Sequence, residues 1–168
     1  MPAKRILNIK NTDVAVYESG THGSGTVVIW AHGWGQSRAA FQPLIRSFDK
    51  NAFNLAVDLP GFGDSPVPPE AWSVEDYADA CAEILRQYEG VKIWCGHSFG
   101  CRVGIRLAAK YPDLVGGLFL IAAAGLKRKR PLPARLYMKA RVVFFKTLKK
   151  LAPEKYHERL YALFGSRD

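Results

Sequence analysis

The sequence predicts an α/β fold, in which a mostly parallel sheet carries helices on both faces. Residues 27–31 and 91–95 are continuous apolar runs of strand length, typical of strands buried on both faces of a parallel sheet. Segments with helical spacing of apolar residues alternate with these strands, as crossover connections between parallel strands require. The chain of 168 residues is long enough for one domain with its own core.

The predicted elements follow this alternation from the N-terminus. Two β-prone runs, residues 5–10 and 14–18, are joined by Asn11-Thr12-Asp13 in the manner of a hairpin. Ser73 is placed to cap the clearest helix, with Asp76 at the third helical position as a looser version of a capping box. Strands are further predicted at 27–31, 54–58, 91–95 and 114–122, and helices at 38–48, 73–90 and 98–110.

The net positive charge of the protein comes from one segment. The net charge is +9, yet twelve Lys or Arg and only two Glu lie between Leu126 and Leu160. The remaining chain has twelve basic and thirteen acidic residues, so we expect no nucleic-acid partner. Neither a GxxxxGK[ST] run nor a GxGxxG turn after the first strand is present, which excludes the usual nucleotide-binding motifs.

The cysteines and the N-terminus predict a reduced, cytoplasmic protein without a cofactor. Cys81, Cys95 and Cys101 have no CxxC spacing, which argues against a disulfide framework and a zinc site. The first residues, Met-Pro-Ala-Lys-Arg-Ile, lack the apolar core of a secretory signal. No apolar run reaches the ~20 residues that a membrane-spanning helix needs.

The run Gly96-His97-Ser98-Phe99-Gly100 matches the G-x-S-x-G turn that presents a nucleophilic serine. It follows a buried strand and precedes a helix, which is the context that this motif requires. Glycines two positions either side of the serine avoid the clash that bulkier residues would make in so sharp a turn. We therefore predict Ser98 as the nucleophile; the alternative is a tight turn whose serine only caps the helix.

A second glycine-containing loop follows the strand that ends at Ala31. In His32-Gly33-Trp34-Gly35 the glycines let the backbone approach a ligand, so the loop can offer an N–H group to an oxyanion. We expect His32 to brace this loop as a structural residue and not to act as a general base.

Together with Asp58-Leu59-Pro60-Gly61-Phe62-Gly63-Asp64-Ser65, these two motifs resemble the α/β-hydrolase fold family, in its branch of small esterase-like enzymes. The resemblance implies strand order 1-2-4-3-5-6 with the second strand antiparallel. It also implies an oxyanion hole made by the backbone N–H groups of Trp34 and Phe99, and a structural role for Asp58. Because position 98 is serine, the aspartate-nucleophile chemistry of epoxide hydrolases and haloalkane dehalogenases of this fold is not expected.

The resemblance further implies that residues 1–125 form the hydrolase core and that residues 126–168 begin a helical cap. A basic amphipathic helix is predicted over 134–151 and a shorter one over 154–164. Tyr137, Phe144 and Phe145 are expected as exposed aromatics, although packing onto the core is the commoner role of such residues.

In this family the acid and the base of the triad follow the seventh and eighth strands, downstream of the cap. This chain ends at Asp168, inside the predicted cap, and neither His22, His97 nor His157 is at the position of the base. We therefore expect the fold to lack its last strands. The isolated chain should be inactive on its small ester or acyl substrate, because a missing C-terminal part or a partner chain is needed to complete the triad. The alternatives are a non-catalytic binding module of the same fold, and association with a membrane surface through the basic helix.

Overall fold

The computed structural model describes residues 2–50, 52–123, 131–153, 156 and 160; the side chains of 134, 135 and 138 are outside this description. The chain divides into two compact units, Met1–Leu126 and Lys127–Asp168. The boundary predicted between residues 125 and 126 lies next to this division.

Six strands of the first unit form one sheet in the order β1-β2-β4-β3-β5-β6. The second strand is antiparallel to both of its neighbours, and the remaining neighbours are parallel. This confirms the predicted fold class, the strand order and the antiparallel second strand. The strands are β1 (Ala3–Ile9), β2 (Thr12–Gly20), β3 (Thr26–Ala31), β4 (Phe53–Val57), β5 (Val91–His97) and β6 (Gly117–Ile121).

The helices lie between the strands where the alternation predicted them. Ser73 begins the second helix with a complete capping box, because its hydroxyl accepts from the Asp76 N–H and the Asp76 carboxylate accepts the Ser73 N–H at 3.0 Å. The helices are α1 (Gln42–Phe48), α2 (Val74–Leu85), α3 (Phe99–Lys110) and α4 (Leu132–Leu151), with 3₁₀ turns at Arg38–Phe41 and Pro112–Leu114.

Each face of the sheet has its own buried cluster. On one face α2 and α3 cover a core that includes Ile29, Leu55 and Trp94, none of which is exposed. On the other face Phe41, from the 3₁₀ turn before α1, packs with a smaller cluster around Trp30. Helices therefore lie on both faces, as predicted.

Several predicted boundaries were wrong. The helix predicted over 73–90 ends at Leu85. The sixth strand begins at Gly117 and not at residue 114, because Leu114 closes a 3₁₀ turn by donating its N–H to the carbonyl of Tyr111. The hairpin turn is also shorter than predicted. Lys10 and Asn11 alone form it, both with positive φ, in the manner of a type I′ turn that fits the twist of the strands.

The last strand forms an apolar edge. Within the described part of the chain, β6 pairs only with β5. Phe119 of β6 is 61% exposed, and Val91 of β5, which lies on the same face of the sheet, is 54% exposed. Soluble proteins normally cover an edge of this kind.

The second unit contains α4, which begins two residues earlier than predicted and has Pro133 in its first turn. Tyr137 and Phe144 are exposed as expected, whereas Phe145 is half-buried. No helix among the described residues is long and apolar enough to cross a bilayer. The helix predicted at 154–164 falls almost entirely outside the described residues.

Candidate active site

The site lies where two neighbouring parallel strands end. Ala31, the last residue of β3, is paired with Gly96 of β5, so the loops that follow both strands emerge side by side. The two loops are joined directly, because the Gly100 N–H donates to the His32 carbonyl at 3.1 Å. The fold therefore brings the His32–Gly35 loop next to Ser98, as the family resemblance implied.

Ser98 occupies a strained backbone conformation between β5 and α3. Its φ and ψ are 48° and −100°, in a region that residues other than glycine rarely adopt. A Cβ on Gly96 would lie 2.6 Å from the backbone of Gly100, and one on Gly100 would lie 2.1 Å from the Ala31 carbonyl oxygen. The turn therefore requires glycine at both positions.

Two further contacts fix this turn. The Ser98 N–H donates to the carbonyl of Ile121, the last residue of β6, at 3.0 Å. The buried indole of Trp94 donates to the Gly100 carbonyl at 2.9 Å. The serine is thus held by β5 before it, by α3 after it and by β6 alongside.

The two residues predicted to form the oxyanion hole are in contact. The rings of Trp34 and Phe99 meet edge to face, with 5.2 Å between their centroids. Phe99 is the first residue of α3, so its N–H has no partner within the helix and lies at the positive end of the helix dipole. Trp34 is 68% exposed and also packs edge to face on Phe62. Their role in holding an oxyanion stays a prediction.

His32 is fully buried and bridges two loops. Its Nε2 accepts the Leu59 N–H at 2.9 Å, so the proton is on Nδ1, which lies 2.8 Å from the Gly33 carbonyl oxygen and donates to it. Burial lowers the pKa of His32, although the Gly33 carbonyl and the Asp58 charge act in the opposite direction. A buried neutral ring with both nitrogens occupied fits the structural role that the sequence predicted.

Asp58 is also buried and engaged by backbone N–H groups. Its two carboxylate oxygens accept from Arg38 at 2.6 Å and from Asp64 at 3.0 Å. A Cβ on Gly63 would overlap the same carboxylate at 2.3 Å. These contacts support the structural role implied for Asp58 and leave it outside a triad.

Neither of the other described histidines, His22 and His97, is placed to act as a base. The His22 ring packs on Phe53, and His97 Nδ1 lies 3.0 Å from Gln36 Oε1. Within the described residues no histidine is hydrogen-bonded to the Ser98 hydroxyl. His157 lies outside the described residues.

The described part of the chain shows neither a reactive thiol nor a cluster of side chains that would bind a metal. All three cysteines are buried and unpaired, and burial raises the pKa of Cys95 to about 11. The described residues contain no group of His, Cys, Asp and Glu that fits a metal ion.

Sequence reasoning gave no role to Gln36, which contacts both site loops. Its side-chain oxygen accepts the Gly33 N–H at 3.1 Å in addition to lying beside His97. Its position in the sequence could have predicted this role, because an amide three residues after Gly33 can reach back to a free N–H of the turn.

A mostly parallel sheet with a serine in a strained strand-to-helix turn defines the α/β-hydrolase class. Residues 26–158 match the family model of the alpha/beta hydrolase fold, and the chain belongs to this family.

Curated relatives include esterases and other hydrolases. The chain is 38% identical over 100 residues to 2-(acetamidomethylene)succinate hydrolase of Mesorhizobium japonicum, covering 59% of this chain and 36% of that protein. It is 37% identical over 102 residues to pimeloyl-[acyl-carrier protein] methyl ester esterase of Shewanella woodyi, covering 61% and 38%. The chain thus spans well under half the length of these relatives.

Solved structures agree on the fold. The crystal structure of E-2-(acetamidomethylene)succinate hydrolase matches with a TM-score of 0.67 and 31% identity, covering 84% of this chain and 51% of that one. A putative lipase from Acinetobacter baumannii matches with a TM-score of 0.70 over 97% and 60%, at 22% identity, which shows the fold alone.

Proposed function

We propose that this chain carries the nucleophile and oxyanion half of a serine hydrolase that acts on a small ester or a related acyl substrate. The observation that carries the proposal is the strained turn at Ser98, which projects a serine at the N-terminus of α3 beside the glycine loop of Trp34. Strain of this kind persists where the surrounding structure holds it, and it concentrates at functional sites. The hydrolase and esterase relatives support the same class.

In the proposed reaction the Ser98 hydroxyl oxygen attacks the substrate carbonyl carbon and gives its proton to a base. The carbonyl oxygen becomes an oxyanion, which the backbone N–H groups of Trp34 and Phe99 stabilise. Collapse of this intermediate breaks the C–O bond, and the leaving alcohol takes the proton from the base. Water then hydrolyses the acyl-serine by the same route and restores Ser98.

We further propose that the base and the acid come from sequence beyond this chain or from a partner chain. No histidine among the described residues reaches the Ser98 hydroxyl, and without a base a serine stays a protonated, weak nucleophile. Phe119 of the edge strand β6 and Val91 of the adjacent strand β5 expose apolar side chains on one face of the sheet. Additional strands and helices would cover this surface. The basic segment 126–168 is proposed to serve as a cap.

We also propose a reducing, cytoplasmic setting for the reaction. Cys81, Cys95 and Cys101 are unpaired and buried, and burial raises the pKa of Cys81 to about 12. These thiols therefore stay protonated and inert, as small apolar side chains of the core.

Two lengths of the protein, each with its Ser98→Ala variant, test the proposal. The measurements are labelling by a fluorophosphonate, which reacts with an activated serine, and turnover of p-nitrophenyl acetate. The chain of residues 1–168 should label no faster than its Ser98→Ala variant and should show negligible turnover of p-nitrophenyl acetate. The protein extended by the residues that follow Asp168 in its reading frame should label at Ser98 and turn over the ester. Turnover by the extended protein that survives Ser98→Ala would refute the assignment.

The rival function is a binding module of the same fold without catalysis, favoured by the lack of a histidine at Ser98 in the described residues. It predicts that the extended protein also fails to label, while still binding an ester or acyl ligand. Labelling at Ser98 in the extended protein would exclude it.

A further inference from the structure

One oxygen atom connects the two loops of the site. Gln36 Oε1 accepts the Gly33 N–H at 3.1 Å and lies 3.0 Å from Nδ1 of His97. The Gln36 N–H in turn donates to the Gly33 carbonyl at 3.2 Å, which closes the loop into a compact turn. The side chain of Gln36 therefore bridges the glycine loop after β3 and the residue that precedes Ser98.

The hydrogen-bond donors settle the orientation of both side chains. The Gly33 N–H can only donate, so the amide of Gln36 must present its oxygen. The same oxygen then faces His97 Nδ1, which must carry a proton to donate to it. The bridge therefore requires the His97 tautomer protonated on Nδ1.

The groups of the bridge lie close together, although the Gln36 side chain itself is exposed. A Cβ on Gly33 would lie 2.8 Å from His97 Nδ1 and 2.9 Å from Gln36 Oε1, so the three groups leave no space between the loops. A shift of the Gln36 side chain would therefore change the positions of both loops.

Each end of the bridge is one residue from a proposed catalytic group. Gly33 precedes Trp34, whose N–H is one oxyanion donor, and His97 precedes Ser98, the nucleophile. We propose that Gln36, through His97, is a positioning residue that sets the separation between the Trp34 N–H and the Ser98–Phe99 turn. This inference rests on the proposed function for its effect on rate, although the bridge itself can be tested without catalysis.

The first test uses the 168-residue chain and measures amide exchange together with the nitrogen shifts of the His97 ring. Gln36→Leu keeps the bulk of the side chain but has no acceptor, so exchange at Gly33 should rise about tenfold. Gln36→Glu keeps the acceptor oxygen and should keep the protection. The His97 shifts should report a proton on Nδ1 in the parent chain. Unchanged Gly33 exchange in Gln36→Leu, or a proton on Nε2, would overturn the bridge.

The second test uses turnover by the extended protein and a matched pair at His97. The amide nitrogen of Asn takes the place of Nδ1, whereas that of Gln takes the place of Nε2. His97→Gln and Gln36→Leu should therefore lower kcat about tenfold or more with KM unchanged, because misplaced donors weaken binding of the transition state and not of the substrate. His97→Asn should recover most of kcat.

Equal losses in His97→Asn and His97→Gln, or losses that appear in KM, would refute the positioning role. Gln36→Glu is left out of the kinetic test because its charge would oppose an oxyanion. If the proposed function is wrong, turnover by the extended protein will be absent or independent of Ser98. The exchange measurements on the 168-residue chain would still show whether the bridge exists.

Discussion

The α-carbon of Gly100 lies against the backbone of Ala31, so that a Cβ on Gly100 would be 2.1 Å from the Ala31 carbonyl oxygen. The Gly100 N–H donates to the neighbouring His32 carbonyl at 3.1 Å, which holds the first turn of α3 on the end of β3. Because the blocking atoms belong to the backbone, no change of rotamer can relieve the clash. This contact therefore sets how closely the first turn of α3 approaches the end of β3.

Gly100→Ala is therefore expected to destabilise the chain by about 3 kcal/mol, at the upper end of the usual cost of overpacking. The matched control is Gly117→Ala, whose Cβ would meet only the flexible end of Ile93 at 3.2 Å. Urea unfolding of both variants measures the difference. A Gly100→Ala protein as stable as Gly117→Ala would show that the turn opens without cost.

A second prediction concerns the indole that supports the same turn. Trp94 is fully buried and donates from Nε1 to the Gly100 carbonyl at 2.9 Å, and its ring fills the space that a side chain at Gly104 would need. Trp94→Phe removes the donor and part of the ring, so we expect a loss of about 2–4 kcal/mol in the free energy of unfolding. Ile29→Val, a deletion of one methylene in the same core, should cost about 0.5–1.5 kcal/mol.

A loss in Trp94→Phe no larger than that in Ile29→Val would mean that the hydrogen bond to the turn contributes nothing. Chemical denaturation of both variants at one pH makes the comparison.

The strands, the helices and the strained serine followed from local patterns in the sequence. Apolar runs marked the buried strands, and the glycines around Ser98 marked the turn, because their spacing reflects steric limits that act within a few residues. The strand order came from the family resemblance, since pairing between distant strands leaves no local trace.

The bridge through Gln36 escaped prediction for the same reason. Whether an amide three residues after Gly33 reaches His97 depends on where β3 and β5 end, and that is set by tertiary packing. The start of β6 was missed because the apolar residues Leu114 and Val115 continue the strand pattern, while the 3₁₀ turn at Pro112–Leu114 interrupts it.

The stability of the chain should fall as the pH falls below the ordinary His pKa of 6.5, because His32 is buried in its neutral form. Burial lowers the pKa of His32 in the folded state, so between the two pKa values the unfolded chain binds a proton that the folded chain does not. The contribution of neutral His32 to the free energy of unfolding is therefore complete above pH 6.5 and is lost as the pH falls towards the folded-state pKa. Its slope is at most about 1.4 kcal/mol per pH unit.

Urea unfolding from pH 7.5 to pH 5 of the parent and of His32→Gln measures this contribution. The variant is less stable throughout, but its stability should depend less on pH in this window. Ile29→Val controls for the general loss of stability without removing a titrating group. An equal pH slope in the parent and His32→Gln would contradict the prediction.

The last prediction concerns the amphipathic helix α4. Leu136 and Val143 are more than half exposed in the described chain, and the helix contains basic but no acidic residues. In proteins most of the stability of an amphipathic helix comes from the packing of its apolar face. The proposed cap covers that face with protein, whereas the alternative places it on an anionic membrane surface.

Hydrogen exchange on the extended protein separates the two. As a cap, α4 should be protected in buffer alone, and Val143→Ser should increase exchange along the helix by removing an apolar contact. Lys146→Ser, on the basic face, is the matched control and should leave protection unchanged. Membrane association instead requires protection that appears only with anionic vesicles and is lost with salt, since each basic residue near such a surface contributes about 1 kcal/mol of electrostatic attraction. Protection that depends on anionic lipid and is absent with neutral vesicles would therefore refute the cap.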